Sequence, residues 1–271
     1  MLDAFGPTVL MHCSQNQLTL QRRSRFGRSI GAPVVRCLPD QAQSIEKLLQ
    51  QLRSGLSEFA CKSGVIDMVM SDAWCRLFFT TPPSNTAHRS DCHAAVVLRF
   101  QSLYGESAAD WVLRADWQVA APFITVAMPR KLHDGLLNIA STFKLRVARI
   151  APDCIAAWNR WSRAVAVGDW FAQMNGVQLT LMVLDGPRLH HIVQQPLDDA
   201  AQHDPDWLTR FVQREALRLN LSAPVRIACA GQVPSAWSEK DPARLTCHVL
   251  AEKNRSASTQ HASAVSADTI Q

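Results

Sequence analysis

Apolar runs separated by short polar breaks dominate two stretches of this chain. Residues 64–83, GVIDMVMSDAWCRLFFTTPP, hold a nearly all-apolar run, a break at Ser71-Asp72, and a second run that stops at Pro82-Pro83. Runs of that length bounded by turn residues predict two paired β-strands. A related pattern occupies residues 176–196, GVQLTLMVLDGPRLHHIVQQP, where Leu179, Leu181 and Val183 alternate with more polar partners ahead of an Asp185-Gly186 turn. Two such pairs predict a fold built twice.

The remaining elements follow from the same periodicities. Residues 8–12 and 17–21 read as a first pair of strands and 33–38 as a third. A helix follows from Asp40, which can cap it; Ile45, Leu48, Leu49, Leu52 and Leu56 recur at helical spacing, and Gly55 offers an end. Ser90 or Asp91 opens a second helix carrying Val96, Val97, Phe100 and Leu103 and stopped by Gly105. Strands are expected at 111–118 and 123–128, after which Pro129 leads into a third helix with Leu132, Leu136, Ile139 and Phe143 inward. A strand at 145–150 and a helix at 152–163, with Pro152 suited to its first turn, bridge to the second half. There, strands at 164–174, 177–184 and 189–195 precede a helix from Asp204-Pro205 whose face holds Leu208, Phe211, Val212 and Leu219. Strands at 224–230 and 245–251 close the unit. This order predicts an α/β or α+β protein with mixed sheets in two lobes, residues 1–151 and 152–251. A Ser-, Ala- and Thr-rich tail at 252–271 is expected to be disordered.

Composition narrows the class. With 47% hydrophobic residues in 271, the chain can bury one large core or two moderate ones, which excludes a disordered protein. No uncharged apolar run reaches the roughly 18 to 20 residues that cross a bilayer, and the first residues lack the regions of a signal peptide, so a cytoplasmic location is expected. Cys13, Cys37, Cys61, Cys75, Cys92, Cys154, Cys229 and Cys247 form no C-x-x-C pair and read as small buried hydrophobes. Net charge is a mild +5, and the local cluster Arg22, Arg23, Arg25 and Arg28 reads more readily as a solvated strand edge than as a nucleic-acid surface. Of the eight tryptophans, most are expected in the core, with one or two left as candidate partner anchors; Trp158 and Trp161 share a helical face.

Candidate chemistry is sparse. His190-His191 looks like a metal pair, but adjacent strand residues point to opposite faces. His88, Asp91, Cys92 and His93 gather near a helix start, where capping and surface roles compete with a zinc reading and outweigh it. Ser71-Asp72 is read as a turn rather than a catalytic pair. No G-x-S-x-G elbow, G-x-x-x-x-G-K-[ST] loop or H-E-x-x-H helix occurs.

The run VIDMVMSDAWCRLFFTTPP resembles a segment of the cytoplasmic domains of GspL-type secretion proteins, and the element order resembles PilM-type pilus assembly proteins, both of the actin-like superfamily. In the second half, AQMNGVQLTLMVLDGPRLHHIVQQ is similar to the strand-turn-strand of PilM-like chains, and residues 147–158 to the helix entry before it. The resemblance spans residues 9–250 in element order. It implies two lobes of ribonuclease H-like mixed sheets, duplicated, around a nucleotide cleft. A phosphate-binding hairpin in such folds needs glycines for backbone approach and a carboxylate for hydrated Mg²⁺. Here Gln173 stands at the aspartate position and Asn175 at a glycine position. Met11-His12-Cys13-Ser14-Gln15-Asn16 fills the first-lobe turn, and Gly231 alone remains of the late glycine-rich loop Ala228-Cys229-Ala230-Gly231-Gln232. These departures imply a cleft without cofactor or metal, with Gln173, Asn175 and Gly231 as its vestiges. The implied function is a non-catalytic scaffold of a type IV pilus or type II secretion platform, recruited to the inner-membrane face. Its partners would be the cytoplasmic segment of a bitopic inner-membrane protein, held in a groove of the first lobe, and a secretion ATPase, with no nucleic acid. The alternative is an ATP-binding protein with a divergent but working site.

Overall fold

The computed structural model describes residues 8–24, 29–38, 44–59, 63–84, 88–119, 121–186, 188–238 and 244–250. Asp40, Cys61, Arg25, Arg28 and the expected tail at 252–271 lie outside the described residues.

The chain opens with an antiparallel meander, β1 (Thr8–Cys13), β2 (Gln17–Arg23) and β3 (Ser29–Cys37). Alternate positions Val9, Met11 and Cys13 on β1 and Leu18 and Leu20 on β2 are buried, the period of a strand with one face on a core. Helix α1 (Ile45–Glu58) covers that face with Leu48, Leu52 and Leu56. It is capped by Ser44, whose Oγ accepts from the Lys47 N–H at 3.2 Å. Gly55 does not end α1, contrary to expectation. It lies inside the helix, where a Cβ would stand 2.7 Å from Leu18 Cδ2, and its lack of side chain lets α1 lie close on β2.

β4 (Gly64–Met70) and β5 (Arg76–Thr80) correct the pairing predicted for 64–83. They do not pair with each other. β4 runs parallel to β1, whereas β5 pairs antiparallel with β7 (Phe123–Pro129), which also pairs with β6 (Trp111–Ala115). An all-apolar run marks a strand buried between parallel neighbours, and Ser71-Asp72 is the point where the chain leaves one sheet for another. Helix α2 (Arg89–Tyr104) packs on the three-stranded sheet and begins ahead of Ser90, with the Asp91 carboxylate accepting from the His88 N–H at 3.1 Å. It stops at Gly105, φ 67°. β6 falls short of 118 because Trp117, φ 41°, takes a left-handed turn. Helix α3 (Arg130–Thr142) then returns the chain to β8 (Leu145–Pro152), the partner of β4, so the first sheet has the order β3-β2-β1-β4-β8.

The second half repeats this plan. Helix α4 (Asp153–Trp161) leads to β9 (Trp170–Asn175), β10 (Gln178–Asp185) and β11 (Arg188–Pro196), then α5 (Asp199–His203), α6 (Trp207–Leu219), β12 (Arg226–Gln232) and β13 (Thr246–Val249). The sheet order β11-β10-β9-β12-β13 and its strand senses match the first sheet position for position. The duplication therefore relates the β1–β2 hairpin to β9–β10, not residues 64–83 to 176–196. β9 is shorter than the strand expected at 164–174, because a 3₁₀ turn at Ser162–Ala164 and Gly168, φ 91°, precede it. The alternation read in β10 also fails: Leu179 through Leu184 are all buried, as in a central strand covered on both faces. α5 went unread because five residues carry too little periodicity.

Each sheet has its own core, and the inserted unit β5–β7 with α2 has a third, centred on Phe78, Val96, Phe100 and Phe123. Phe100 is fully buried there, its ring centroid 5.3 Å from that of Trp111. Truncation to Phe100→Ala is expected to cost about 3–5 kcal/mol in urea unfolding; a loss under about 1 kcal/mol would contradict this packing.

Candidate functional site

The break at Ser71-Asp72 forms the physical joint of the molecule. Ser71 caps a 3₁₀ turn at Asp72–Trp74, its N–H donating to the Cys13 carbonyl at 2.7 Å and its Oγ accepting from the Ala73 N–H. Asp72 is 1% exposed. Its Oδ1 accepts from the Cys154 N–H at 3.0 Å, at the start of α4, and its Oδ2 accepts from the Thr180 hydroxyl at 2.6 Å, on β10. One carboxylate thus binds the first sheet to the bridging helix and to the second sheet. Gln194 on β11 adds two donor bonds from Nε2, to the carbonyls of Asp72 (2.9 Å) and Cys75 (3.2 Å), while its Oε1 accepts from the Leu77 N–H. Burial pushes the Asp72 carboxyl up to about 6, against the Thr180 and Cys154 bonds that favour its charged form.

Beside this joint, a polar chain crosses from lobe to lobe. His12, near the end of β1, meets Asp153 Oδ1 at 3.2 Å, and Gln173 Nε2 on β9 donates to Asp153 Oδ2 at 3.0 Å. The bond to Asp153 raises the His12 pKa, and burial opposes it. Asn175 Nδ2 donates to Ser71 Oγ at 3.0 Å. Gly231, φ 87°, seats the end of β12 against β9, where a Cβ would stand 2.0 Å from the Met174 carbonyl oxygen and 2.8 Å from Gln173 Nε2. The three cleft residues singled out in the sequence, Gln173, Asn175 and Gly231, are therefore gathered in one place.

Sequence reasoning missed Asp153, Thr180 and Gln194 and took Asp72 for an ordinary turn residue. The available signals were a Pro-Asp at a helix start and one hydroxyl inside an otherwise apolar strand.

A Mg²⁺-nucleotide does not fit these residues. In the β1–β2 turn the Ser14 N–H donates to the Gln17 carbonyl at 2.9 Å and Ser14 Oγ donates to the same oxygen, so the turn satisfies itself instead of presenting amides to an anion. Gln173 Oε1 and Asn175 Oδ1 are buried acceptors with no donor among the described residues, and acceptors there repel phosphate oxygens. The carboxylate of Asp153 is engaged at both oxygens by His12 and Gln173.

The other candidates are dispersed. His190 is exposed and His191 half-buried on successive positions of β11; burial first, then Arg218, lowers the His191 pKa. Asp91 caps α2, Cys92 is buried, and His93 stacks on Trp117 with centroids 5.6 Å apart. Among the described residues no group of three His, Cys, Asp or Glu side chains is placed to hold a metal. Arg22 donates to the Phe59 carbonyl at 3.0 Å, and Arg23 Nε is buried. Trp158 packs edge-on to Phe171 beneath the second sheet. A groove of about 2350 Å³ opens between the inserted unit and β11, with Leu98, Leu103, Leu137, Arg99, Arg114 and Arg188 among its lining residues. The three leucines are exposed, although apolar.

Neither a protein-family profile nor a curated protein sequence matches the chain. Solved structures do. The PilM–PilN complex of type IV pilus biogenesis aligns over 90% of this chain and 88% of that one at 13% identity, TM-score 0.66. A Bacteroides thetaiotaomicron protein described as having an actin-like ATPase fold and unknown function aligns over 92% and 94% at 8% identity, TM-score 0.60. The fold is actin-like. The cytoplasmic domain of EpsL, an inner-membrane component of the Vibrio cholerae type II secretion system, aligns over 85% and 84% at 10% identity, TM-score 0.55.

Substitutions at two positions, Asp72 and Gly231, probe the joint. The folded Asp72 pKa of about 6 stands above the ordinary 3.8, so the folded state holds an extra proton between those values. Ionised Asp72 opposes folding progressively as the pH rises from about 4 to about 6, and nothing is lost below that window. Asp72→Asn is expected to flatten this fall in urea midpoint, because an amide can still accept from Cys154 and donate to Thr180. Asp72→Ala orphans both partners and is expected to cost about 3 kcal/mol at neutral pH. An unchanged pH slope in Asp72→Asn would contradict the assignment. Gly231→Ala, strained in φ and blocked by backbone, is expected to lose about 2 kcal/mol or more; a neutral effect would refute the close seat of β12 on β9.

Proposed function

We propose that this actin-like chain is a non-catalytic scaffold of a type IV pilus or type II secretion assembly platform, binding the cytoplasmic segment of a bitopic inner-membrane protein. The observation that carries the reading is the side-chain set of the cleft: the residues that would hold Mg²⁺-phosphate are amides, and the carboxylates of Asp72 and Asp153 are engaged by contacts between the lobes. Without nucleotide chemistry, the chain offers rigid lobes and an open groove. The printed descriptions of the PilM–PilN complex and the EpsL domain support the pathway.

No helix among the described residues is long and apolar enough to cross a membrane. In this reading the scaffold works in the cytoplasm and reaches the inner-membrane face through its partner, which the printed description of the EpsL cytoplasmic domain supports. A secretion ATPase would be a second partner, and nucleic acid none. Division of the chain at residue 151, between the end of β8 and the start of α4, belongs to the same proposal. The groove beside the inserted unit, with exposed leucines and arginines, suits an extended partner segment whose side chains alternate between apolar and polar.

A second reading, a divergent but working ATP site, draws on Asp72 and Asp153, two carboxylates kept between the lobes. The readings separate in two measurements. Calorimetric titration with the N-terminal cytoplasmic peptides of candidate single-span inner-membrane proteins is expected to release heat and saturate with one of them; no heat with any such peptide would sink the scaffold reading. Mg-ATP at millimolar concentration is expected to leave the melting temperature unchanged, since only a ligand bound to the native state raises it. A rise of several degrees would establish the second reading instead.

A further inference from the structure

We propose that Cys229 and Cys247 form an oxidisable dithiol, closed to a disulfide by a two-electron oxidant of the peroxide class. Cys229 lies on β12 and Cys247 on β13, and both thiols are free with 2.9 Å between their sulfurs. The strands run parallel, with Ile227 opposite Cys247 and Cys229 opposite Val249. That register puts the two cysteines diagonally on one face of the sheet. A disulfide bond is about 2.05 Å long, so closure asks each sulfur to move by well under 1 Å.

The two thiols are unequal. Cys229 is fully buried, and its contact with Cys247 first, then burial, pushes its pKa up. Cys247 is half-buried on the edge strand, and the same contact draws its pKa down. Cys247 is accordingly the thiolate that meets the oxidant. Its sulfur attacks one peroxide oxygen, the O–O bond breaks, and the departing hydroxide takes up a proton to become water, leaving Cys247 as a sulfenic acid. The Cys229 sulfur then attacks the Cys247 sulfur. Its proton joins the expelled hydroxide as a second water. Two thiols and one hydrogen peroxide give one disulfide and two waters, with two electrons passing from the sulfurs to the O–O bond.

The bond would clip the edge strand β13 to β12, two residues ahead of Gly231, where β12 seats on β9. It would thereby fasten the far edge of the second lobe. This inference is independent of the proposed partner and pathway. Cys37, exposed, and Cys13, buried with its pKa pushed up to about 12, have no comparable neighbour among the described residues.

Trypsin cuts the chain so that Cys229 falls in residues 227–240 and Cys247 in 245–253, each the single cysteine of its peptide. Native protein is titrated with hydrogen peroxide, free thiols are alkylated, and the digest is run without reductant. The expected result is a linked pair of these peptides, undone by dithiothreitol, with a melting temperature several degrees higher in the oxidised protein. The link should form at least about tenfold faster in folded protein than in urea, because the sheet supplies the effective concentration. In Cys229→Ser, Cys247 should stop at a dimedone-reactive sulfenic acid; in Cys247→Ser, Cys229 should resist. Two outcomes overturn the proposal: the two peptides remain unlinked at a dose that oxidises Cys37, or the link forms no faster in folded than in unfolded protein.

Discussion

A buried carboxylate between two sheets is the constraint on which this molecule turns. Asp72 is buried away from solvent, so its charge must be met by the Cys154 amide and the Thr180 hydroxyl, groups from the bridging helix and from the second sheet. Those donors can meet it only if the first lobe, the bridge and the second lobe keep one mutual arrangement. Gln194 and Asn175 extend the same demand to β11 and to the end of β9. Breaking any of these contacts strands a buried polar group, which makes relative motion of the lobes expensive. A protein that cycles through open and closed states around a nucleotide needs the opposite: a joint that is cheap to open.

Much of the fold was legible because its signals are local. Helices α1 and α3 announced themselves through Leu48, Leu52 and Leu56 and through Leu132, Leu136 and Ile139, and the Asp185-Gly186 turn marked the β10–β11 hairpin. Pairing was less legible, since it depends on which strands meet after the chain has travelled elsewhere. An apolar run followed by another is equally compatible with a hairpin and with two strands that part company, and β4 and β5 part company at Asp72. The alternation in β10 misled for a related reason: Thr180 looks solvent-facing in sequence but is buried because it serves a carboxylate from the other lobe.

The candidate site was half visible. Gln173 and Asn175 were identified by what they lack and Gly231 as the one glycine left of its loop, and the structure gathers them beside one another. Their positive role was hidden, because Asp153 meets Gln173 from 20 positions away and His12 meets that same Asp153 from 141 positions away. Amides in place of a carboxylate and a glycine do more than remove chemistry. They supply neutral donors, from Gln173 to Asp153 within the second lobe and from Asn175 to Ser71 across the seam.

The most direct measurement of that rigidity is amide hydrogen exchange at Cys154, whose N–H is committed to Asp72. A closed, nucleotide-indifferent joint predicts that this amide exchanges as slowly as those of the sheet cores and that Mg-ATP leaves its rate unchanged. Exchange at the rate of the exposed loops, or strong slowing on addition of Mg-ATP, would contradict it.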